Sequence, residues 1–223
     1  MQELKSLGSE QTRKTYRRHG IQGDLCGVSY ASLGALKKKI KIDHDLAIQL
    51  WKSGNHDARA LATMIADPAK GVPLLDQWVG DLNSYPIVDA VATFASQTSV
   101  DAKKIEKWMK SKDEWTGNFG WSIFARLVRA DNRFSEESIE QYLDVIERDI
   151  HQAQNRVRHS MNTALISIGV RNNKLQKKAL AVAARIGKVE VDHGDTDCKT
   201  PDAAQYILKI VSRPSKSKAA KAG

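Results

Sequence analysis

Apolar residues recur three or four positions apart through almost all of this 223-residue sequence, and no segment alternates convincingly as a β-strand would. Segments 138–150, 155–169 and 174–187 each place their apolar side chains along one stripe of a helix. Similar reasoning predicts helices near residues 3–18, 30–41, 44–52, 56–66, 70–82, 86–96, 100–110, 119–130 and 201–211. The sequence therefore predicts an all-α fold.

About a dozen short helices with short connections, and no long heptad run, favour an α-solenoid over a coiled coil or a simple bundle. Divergent HEAT-like antiparallel helix pairs are the natural form, since each pair buries one stripe against its neighbours. We expect residues 1–211 to form a single domain of this kind with a concave basic face. The segment SRPSKSKAAKAG, residues 212–223, has the composition of a disordered basic tail.

Helix ends are marked by capping residues. Gly169 and Gly187 stand where helix C-caps are expected, and Asn55 is a plausible N-cap for the helix near residue 56. Thr200 is the expected N-cap of the last helix, with Pro201 at its first position. In this interpretation His56 and Asp57 form a structural helix start, while Arg59 on the exposed side is a candidate phosphate contact.

The charge balance favours a polyanionic partner. Lysine and arginine number 35 against 26 aspartates and glutamates, a formal net charge of +9. Nucleic acid is the commonest such partner, although the excess also fits a merely soluble surface. Candidate phosphate contacts are Lys38 in LKKKIK and Arg156 and Arg158 in RVRHSM. We expect double-stranded DNA as the partner, bound by a monomer without an obligate protein partner.

Several classes of function are disfavoured. No run approaches the roughly 18 apolar residues that cross a bilayer. The charged start has no apolar signal region, and two cysteines make no disulfide framework. We therefore expect a cytoplasmic, nucleoid-associated protein. The segment VDHGDTDCKTP matches no metal-ligand spacing, so no metal and no cofactor are predicted.

The segment SYPIVDAVATF places an acid within an apolar run. On a helix, Ile87, Val91 and Phe94 share the apolar face, while Tyr85 and Asp89 lie one turn apart on the other side. A bland interpretation is available, because Asp89 lies near a helix start at Pro86, where the helix dipole favours negative charge.

An ordered set of segments covering roughly residues 20–210 resembles the DNA alkylation repair proteins built of HEAT-like repeats, which include the bacterial alkylpurine DNA glycosylases. The segments are GVSYASLGALKKKIKIDHDLAIQLWKSGNHDARALATMIADP, YPIVD, KDEWTGNFGW, RHSMNTALISIG and KVEVDHGDTDCKTPDAAQYI.

The resemblance implies a role for the pair on YPIVD. Glycosylases of this family present an aromatic residue and an aspartate one turn apart to the DNA, and Tyr85 and Asp89 match, with Tyr where Trp is usual. Breaking the glycosidic bond of a cationic N3- or N7-alkylated purine develops positive charge on the deoxyribose, which a carboxylate stabilises. Asp89 is accordingly the expected catalytic residue of a monofunctional DNA glycosylase, a hydrolase without lyase activity, and Tyr85 the expected lesion contact.

The segment DEWTGNFGW departs from the family pattern. Family glycosylases carry an arginine three residues after the tryptophan, but Asn118 follows Trp115 at that spacing. Trp115 and Asn118 remain expected DNA contacts, with Arg126 further along the helix as a source of charge, although an amide lacks the charged fork that clamps phosphate. The departure leaves open a non-catalytic protein that recognises branched, bent or damaged DNA by shape. A protein-interaction scaffold is a third, weaker alternative.

Overall fold

The computed structural model describes residues 1–213, and within them the chain is helical with no β-strand. This arrangement confirms the predicted all-α class. The helices are α1 (Gln2–Leu7), α2 (Glu10–Arg18), α3 (Tyr30–Ile40), α4 (His44–Lys52), α5 (His56–Ile65), α6 (Val72–Gly80), α7 (Tyr85–Ala95), α8 (Ala102–Met109), α9 (Glu114–Leu127), α10 (Glu136–Asp149), α11 (Asn155–Gly169), α12 (Asn173–Ile186) and α13 (Ala203–Val211).

From α3 onward the helices form two layers. The odd-numbered helices pack in chain order, each on the next, from α3 to α13. The even-numbered helices lie behind them, as in the pairs α4 with α5, α6 with α7, and α8 with α9. Stacked antiparallel pairs of this kind make an α-solenoid of HEAT-like repeats, and the odd-numbered layer faces the basic concave side. One hydrophobic core runs through the stack from Leu4 to Ile207.

The first predicted helix, 3–18, is wrong as a single element, because it divides into α1 and α2. Gly8 ends the first helix against the chain at Cys26, where a Cβ would lie 2.1 Å from the Cys26 carbonyl oxygen. Ser9 then caps α2, with its Oγ accepting from the Thr12 amide at 3.2 Å. Helical periodicity continues across the break, so the sequence pattern hid it.

The predicted start of the helix at 119–130 is five residues late. Helix α9 begins at Glu114, and Asp113 caps it by accepting the Thr116 amide at 2.8 Å. Gly117 and Gly120 lower helix propensity and masked this start, but they serve packing. A Cβ at Gly120 would lie 2.4 Å from the Met109 amide nitrogen, so glycine permits the close approach of α8 and α9.

Helix α9 ends three residues before the predicted position 130, and the other ends differ by at most two residues. A 3-10 turn at Pro68–Lys70 precedes α6, in place of one helix over 70–82. Gly169 is the last residue of α11 and packs against α13, so its predicted cap role is wrong, whereas Gly187 caps α12 with φ of 67°. The last helix begins at Ala203 and is capped by Asp202. The predicted Thr200 cap is therefore wrong, because Asp202 supplies the acceptor.

The start of α5 is structural, as expected. Asn55 Oδ1 accepts the Ala58 amide at 3.1 Å, which confirms the predicted cap. Asp57 is fully buried. Its carboxylate accepts the backbone amides of Cys26, Gly27 and Val28 at 2.6, 3.1 and 2.7 Å. This carboxylate clamp ties the connection between α2 and α3 to the repeat stack.

Two further predictions from the sequence concern the C-terminal tail and membrane-spanning segments. Apart from Ser212 and Arg213, the predicted tail at 212–223 lies outside the described residues. Among residues 1–213, no helix is long and apolar enough to pass through a lipid bilayer.

Replacing Asp57 with alanine should destabilise the fold strongly. Three buried amides would lose their acceptor, and each costs about 1–3 kcal/mol when left unsatisfied. The midpoint of urea unfolding is the measurement. Asp45→Ala is the matched control, because Asp45 is also the second residue of its helix but is exposed, so only about 0.3–1 kcal/mol of dipole stabilisation is lost. Equal losses in the two variants would contradict the clamp.

Candidate nucleic-acid interface

Helix α7 presents a polar ridge made of Tyr85, Asp89 and Thr93, each one turn from the next. The opposite face of α7 is buried, with Ile87, Val91 and Phe94 among the core residues, so the ridge is directed outward. The sequence predicted this division of the helix, and the structure confirms it. The three ridge residues line two cavities, one on each side.

The basic cavity has a volume of about 710 Å³ and lies between α7, α9, α11 and the connection before α13. Its lining brings together positive side chains from distant parts of the chain: Arg126, Arg129, Arg156 and Lys199. Two histidines, His159 and His193, lie in the same wall. Clustered cations in a concave surface attract the phosphates of a nucleic acid.

The aromatic cavity has a volume of about 690 Å³ and lies on the other side of the ridge. It is enclosed by α2, α3, α7 and the end of α5. Apart from the ridge, its lining includes Tyr16, Tyr30, Ile42, Met64 and Phe94, with Lys37 and His19 as cationic or titratable groups.

Asp89 lies open to solvent on the ridge, with 61% of its side chain exposed. An Arg126 nitrogen, Nη2, stands 3.4 Å from its Oδ1. The protein atoms that line the two cavities displace water and so raise the pKa of this carboxyl, while the charge of Arg126 lowers it. Sequence spacing placed Arg126 two turns beyond Asn118, but the packing of α9 on α7 brings it to Asp89.

Tyr85 is engaged from two sides. The Arg156 guanidinium lies over its ring, with Cζ 4.4 Å from the ring centroid. His19 Nδ1 and the Tyr85 hydroxyl are in hydrogen-bonding contact. Burial raises the pKa of the Tyr85 phenol. The Tyr85 ring, which the sequence predicted as a lesion contact, is therefore covered by the Arg156 guanidinium. Arg156 itself lines the basic cavity.

Glu114 fixes the position of Arg156. The Arg156 backbone amide donates to Glu114 Oε1 at 2.7 Å, which joins the starts of α9 and α11. Because the sequence placed the start of α9 five residues late, this positioning contact was missed. A D-E pair before a helix, with Asp113 as N-cap, was the available signal.

Trp115 and Asn118, which the sequence predicted as DNA contacts, are both largely covered by protein. Asn118 borders the basic cavity, but only 4% of it is exposed, and its Oδ1 accepts from Ser122 at 3.3 Å. Trp115 is half-buried and packs against the core outside both cavities. Trp121, further along α9, is 3% exposed and packs in the core.

Arg59 is not on an exposed surface, so that part of the expectation is wrong. Only 15% of its side chain is exposed. Its guanidinium stacks on Trp51 and donates to the Asp81 carbonyl at 3.1 Å. These contacts give Arg59 a structural role between α5 and the end of α6.

The remaining predicted cations also lie outside the two cavities. Arg158 donates to the carbonyls of Glu190 and Ala153 at 2.7 and 3.0 Å, and so holds the chain after α12. Lys38 is exposed outside both cavities, whereas the adjacent Lys37 lines the aromatic cavity. One position in a helix is a turn of about 100°, so the lysine run alone did not determine which member faces inward.

The acidic cluster in VDHGDTDCKTP does not assemble a cation site. No group of three or more histidine, cysteine, aspartate or glutamate side chains within residues 1–213 is arranged to hold a metal ion. His193 instead pairs edge-on with His159, with 5.5 Å between ring centroids, and its Nε2 lies 3.0 Å from Thr200 Oγ1.

Comparison with known proteins identifies the family. The model of the DNA alkylation repair enzymes matches residues 1–207, so this chain belongs to the DNA alkylation repair family. The uncharacterized proteins Lin0241 of Listeria innocua and Lmo0209 of Listeria monocytogenes are 30% and 29% identical over 218 residues. Each match covers 95% of this chain and 95% of the relative.

A solved structure has the same fold. It is described as a new family of proteins related to the HEAT-like repeat DNA glycosylases with affinity for branched DNA structures. It matches with a TM-score of 0.85 and 32% identity over 95% of this chain and 92% of that chain. The fold and family expected from the sequence are therefore confirmed.

Stability should fall as pH decreases from about 6.5 to about 4, in part because of His159. Burial, His193 and Arg156 lower its pKa from 6.5 to about 4, so the folded protein holds the ring neutral while the unfolded chain takes up a proton. His159→Gln should reduce this loss, measured as the urea midpoint at several pH values across that window. An identical pH dependence in variant and wild type would contradict the assignment.

Proposed function

We propose that this protein binds branched or sharply bent DNA through the basic cavity beside α7, without excising bases. The observation that carries the proposal is the pairing of the ridge with cations: Arg126 holds Asp89 and Arg156 covers Tyr85. A carboxylate with a guanidinium beside it offers less net negative charge to a developing deoxyribosyl cation. The same two arginines face the groove and suit phosphate.

Shape supports a branched partner. The basic cavity gathers its cations within one concavity, so phosphates that a bend or branch brings close together would fill it better than phosphates spread along a straight duplex. Contacts to the phosphate backbone carry no base sequence, so recognition would rest on the bend or branch that brings several phosphates into the cavity. The affinity of the solved relative for branched DNA supports the same choice. We further propose that the chain acts as a single-domain monomer, and its core from Leu4 to Ile207 supports the single domain.

Binding of a four-way DNA junction should be tighter than binding of a linear duplex of the same sequence, and both should weaken steeply between about 50 and about 200 mM salt. Arg126→Ala and Arg156→Ala should each reduce the log–log salt slope by about one and weaken junction binding. Fluorescence anisotropy of labelled DNA measures both quantities.

Arg185→Ala is the matched control for this measurement. It removes the same charge from α12, where Arg185 pairs with Glu147 at 2.5 Å outside both cavities. The control should bind the junction like the wild type. A flat salt dependence, or an equal loss in the control, would refute the groove as the DNA site.

A second candidate function is excision of cationic alkylpurines, as the sequence resemblance implies. It is favoured by the exposed carboxylate of Asp89 one turn from Tyr85. In this alternative, DNA binding would draw Arg126 to a phosphate and free Asp89 to face the deoxyribose. The two candidates share a DNA site and differ in turnover.

Incubation with DNA containing N7-methylguanine separates the two functions. The proposed function predicts no release of the base above the rate without protein. If release occurs, Asp89→Asn should lower it at least about tenfold, because roughly 1.4 kcal/mol of transition-state stabilisation is sufficient for that change. Release that is unchanged in Asp89→Asn would exclude Asp89 as the catalytic group.

A further inference from the structure

The aromatic cavity is not used by the proposed backbone contacts, although it adjoins them. Its volume of about 690 Å³ lies within the range of about 300–1,000 Å³ that is typical of small-molecule sites. Tyr85, Asp89 and Thr93 line it and the basic cavity alike. A nucleotide with its phosphate in the basic cavity therefore lies one ridge width from the aromatic cavity.

The mouth of this cavity exposes apolar surface that the fold does not require. Tyr30 is 45% exposed and Ile42 is 65% exposed, and both line the cavity. Exposed apolar side chains that line one concavity are typical of a binding site. Because they stand beside a cationic groove, their partner carries an apolar face and negative charge together.

The cavity wall is held in place by the core. Tyr16 is 8% exposed, and its hydroxyl donates to the Val28 carbonyl at 2.6 Å. The Tyr30 ring meets Tyr16 edge-on, with 6.4 Å between centroids. Tyr30 is thus supported on one side and open to solvent on another, as a stacking platform requires.

We propose that the aromatic cavity receives one unpaired nucleobase from the branch point of bound DNA, an inference that rests on the proposed function. Bases have flat apolar faces that stack on tyrosine whatever their sequence, and they are tethered to phosphates. A base that is already unpaired at a branch enters at least cost, because no base pair has to be broken. Duplex arms would then stay on the basic side of the ridge.

The test compares two three-way DNA junctions that differ at one unpaired nucleotide at the branch. One carries an adenosine there, and the other carries an abasic residue with the same phosphates. Wild-type protein should bind the adenosine junction at least about fivefold more tightly, as expected for one base stacked on an aromatic side chain. Tyr30→Ala should abolish that difference, while Tyr30→Phe should keep it.

Tyr206→Ala is the matched control, since Tyr206 is 44% exposed on α13 and lines neither cavity. It should retain the preference for the adenosine junction. Ile42→Ser provides a second variant at an exposed site, which should reduce the preference even if Tyr30→Ala disturbs folding.

The outcomes separate this inference from the proposed function. Equal binding of the two junctions by the wild type, with steep salt dependence, would overturn the base site and leave backbone binding in place. Preference that persists in both Tyr30→Ala and Ile42→Ser would also overturn it. Failure to bind either junction at low salt would overturn the proposed function, and the base site with it.

Discussion

The carboxylate of Asp57 fixes one wall of the aromatic cavity. By accepting three consecutive backbone amides, it sets the chain between α2 and α3 in one conformation. That connection runs from His19, just after Tyr16 in α2, to Tyr30 at the start of α3. Apolar packing adds to this tie, since Leu4 of α1 belongs to the hydrophobic core. The aromatic cavity is therefore a product of a buried polar contact as much as of apolar packing.

The electrostatics of the ridge distinguish two uses of one scaffold. Asp89 and Tyr85 could stabilise a developing deoxyribosyl cation only while both side chains face the DNA. Here Arg126 pairs with Asp89, and Arg156 covers the Tyr85 ring. Both charges add to those of Arg129 and Lys199 in the basic cavity. The surface proposed to bind DNA is then cationic across the ridge. This balance is the basis for the proposed role in holding phosphate rather than promoting bond cleavage.

Sequence periodicity was sufficient to predict the fold class, most helices and the outward position of Tyr85 and Asp89, because these depend on local spacing. It failed where a residue's role depends on a distant partner. Arg59 is typical of an exposed helix cation until Trp51 and Asp81 are packed around it. Gly120 weakens a helix in isolation, yet the approach of α8 requires it. Which cations meet in the groove follows from the stacking of odd-numbered helices, and nothing local to each residue encodes that.

The shared ridge also constrains how this surface can change in evolution. One helix supplies a wall to both cavities while burying its other face, so every residue of α7 has its direction set by the register of the whole helix. Substitutions can alter either cavity alone. A single-residue insertion or deletion within α7 would rotate the following side chains by about 100°, carrying ridge positions toward the core and apolar ones into the groove. Lineages of this protein should therefore exclude length changes from this helix.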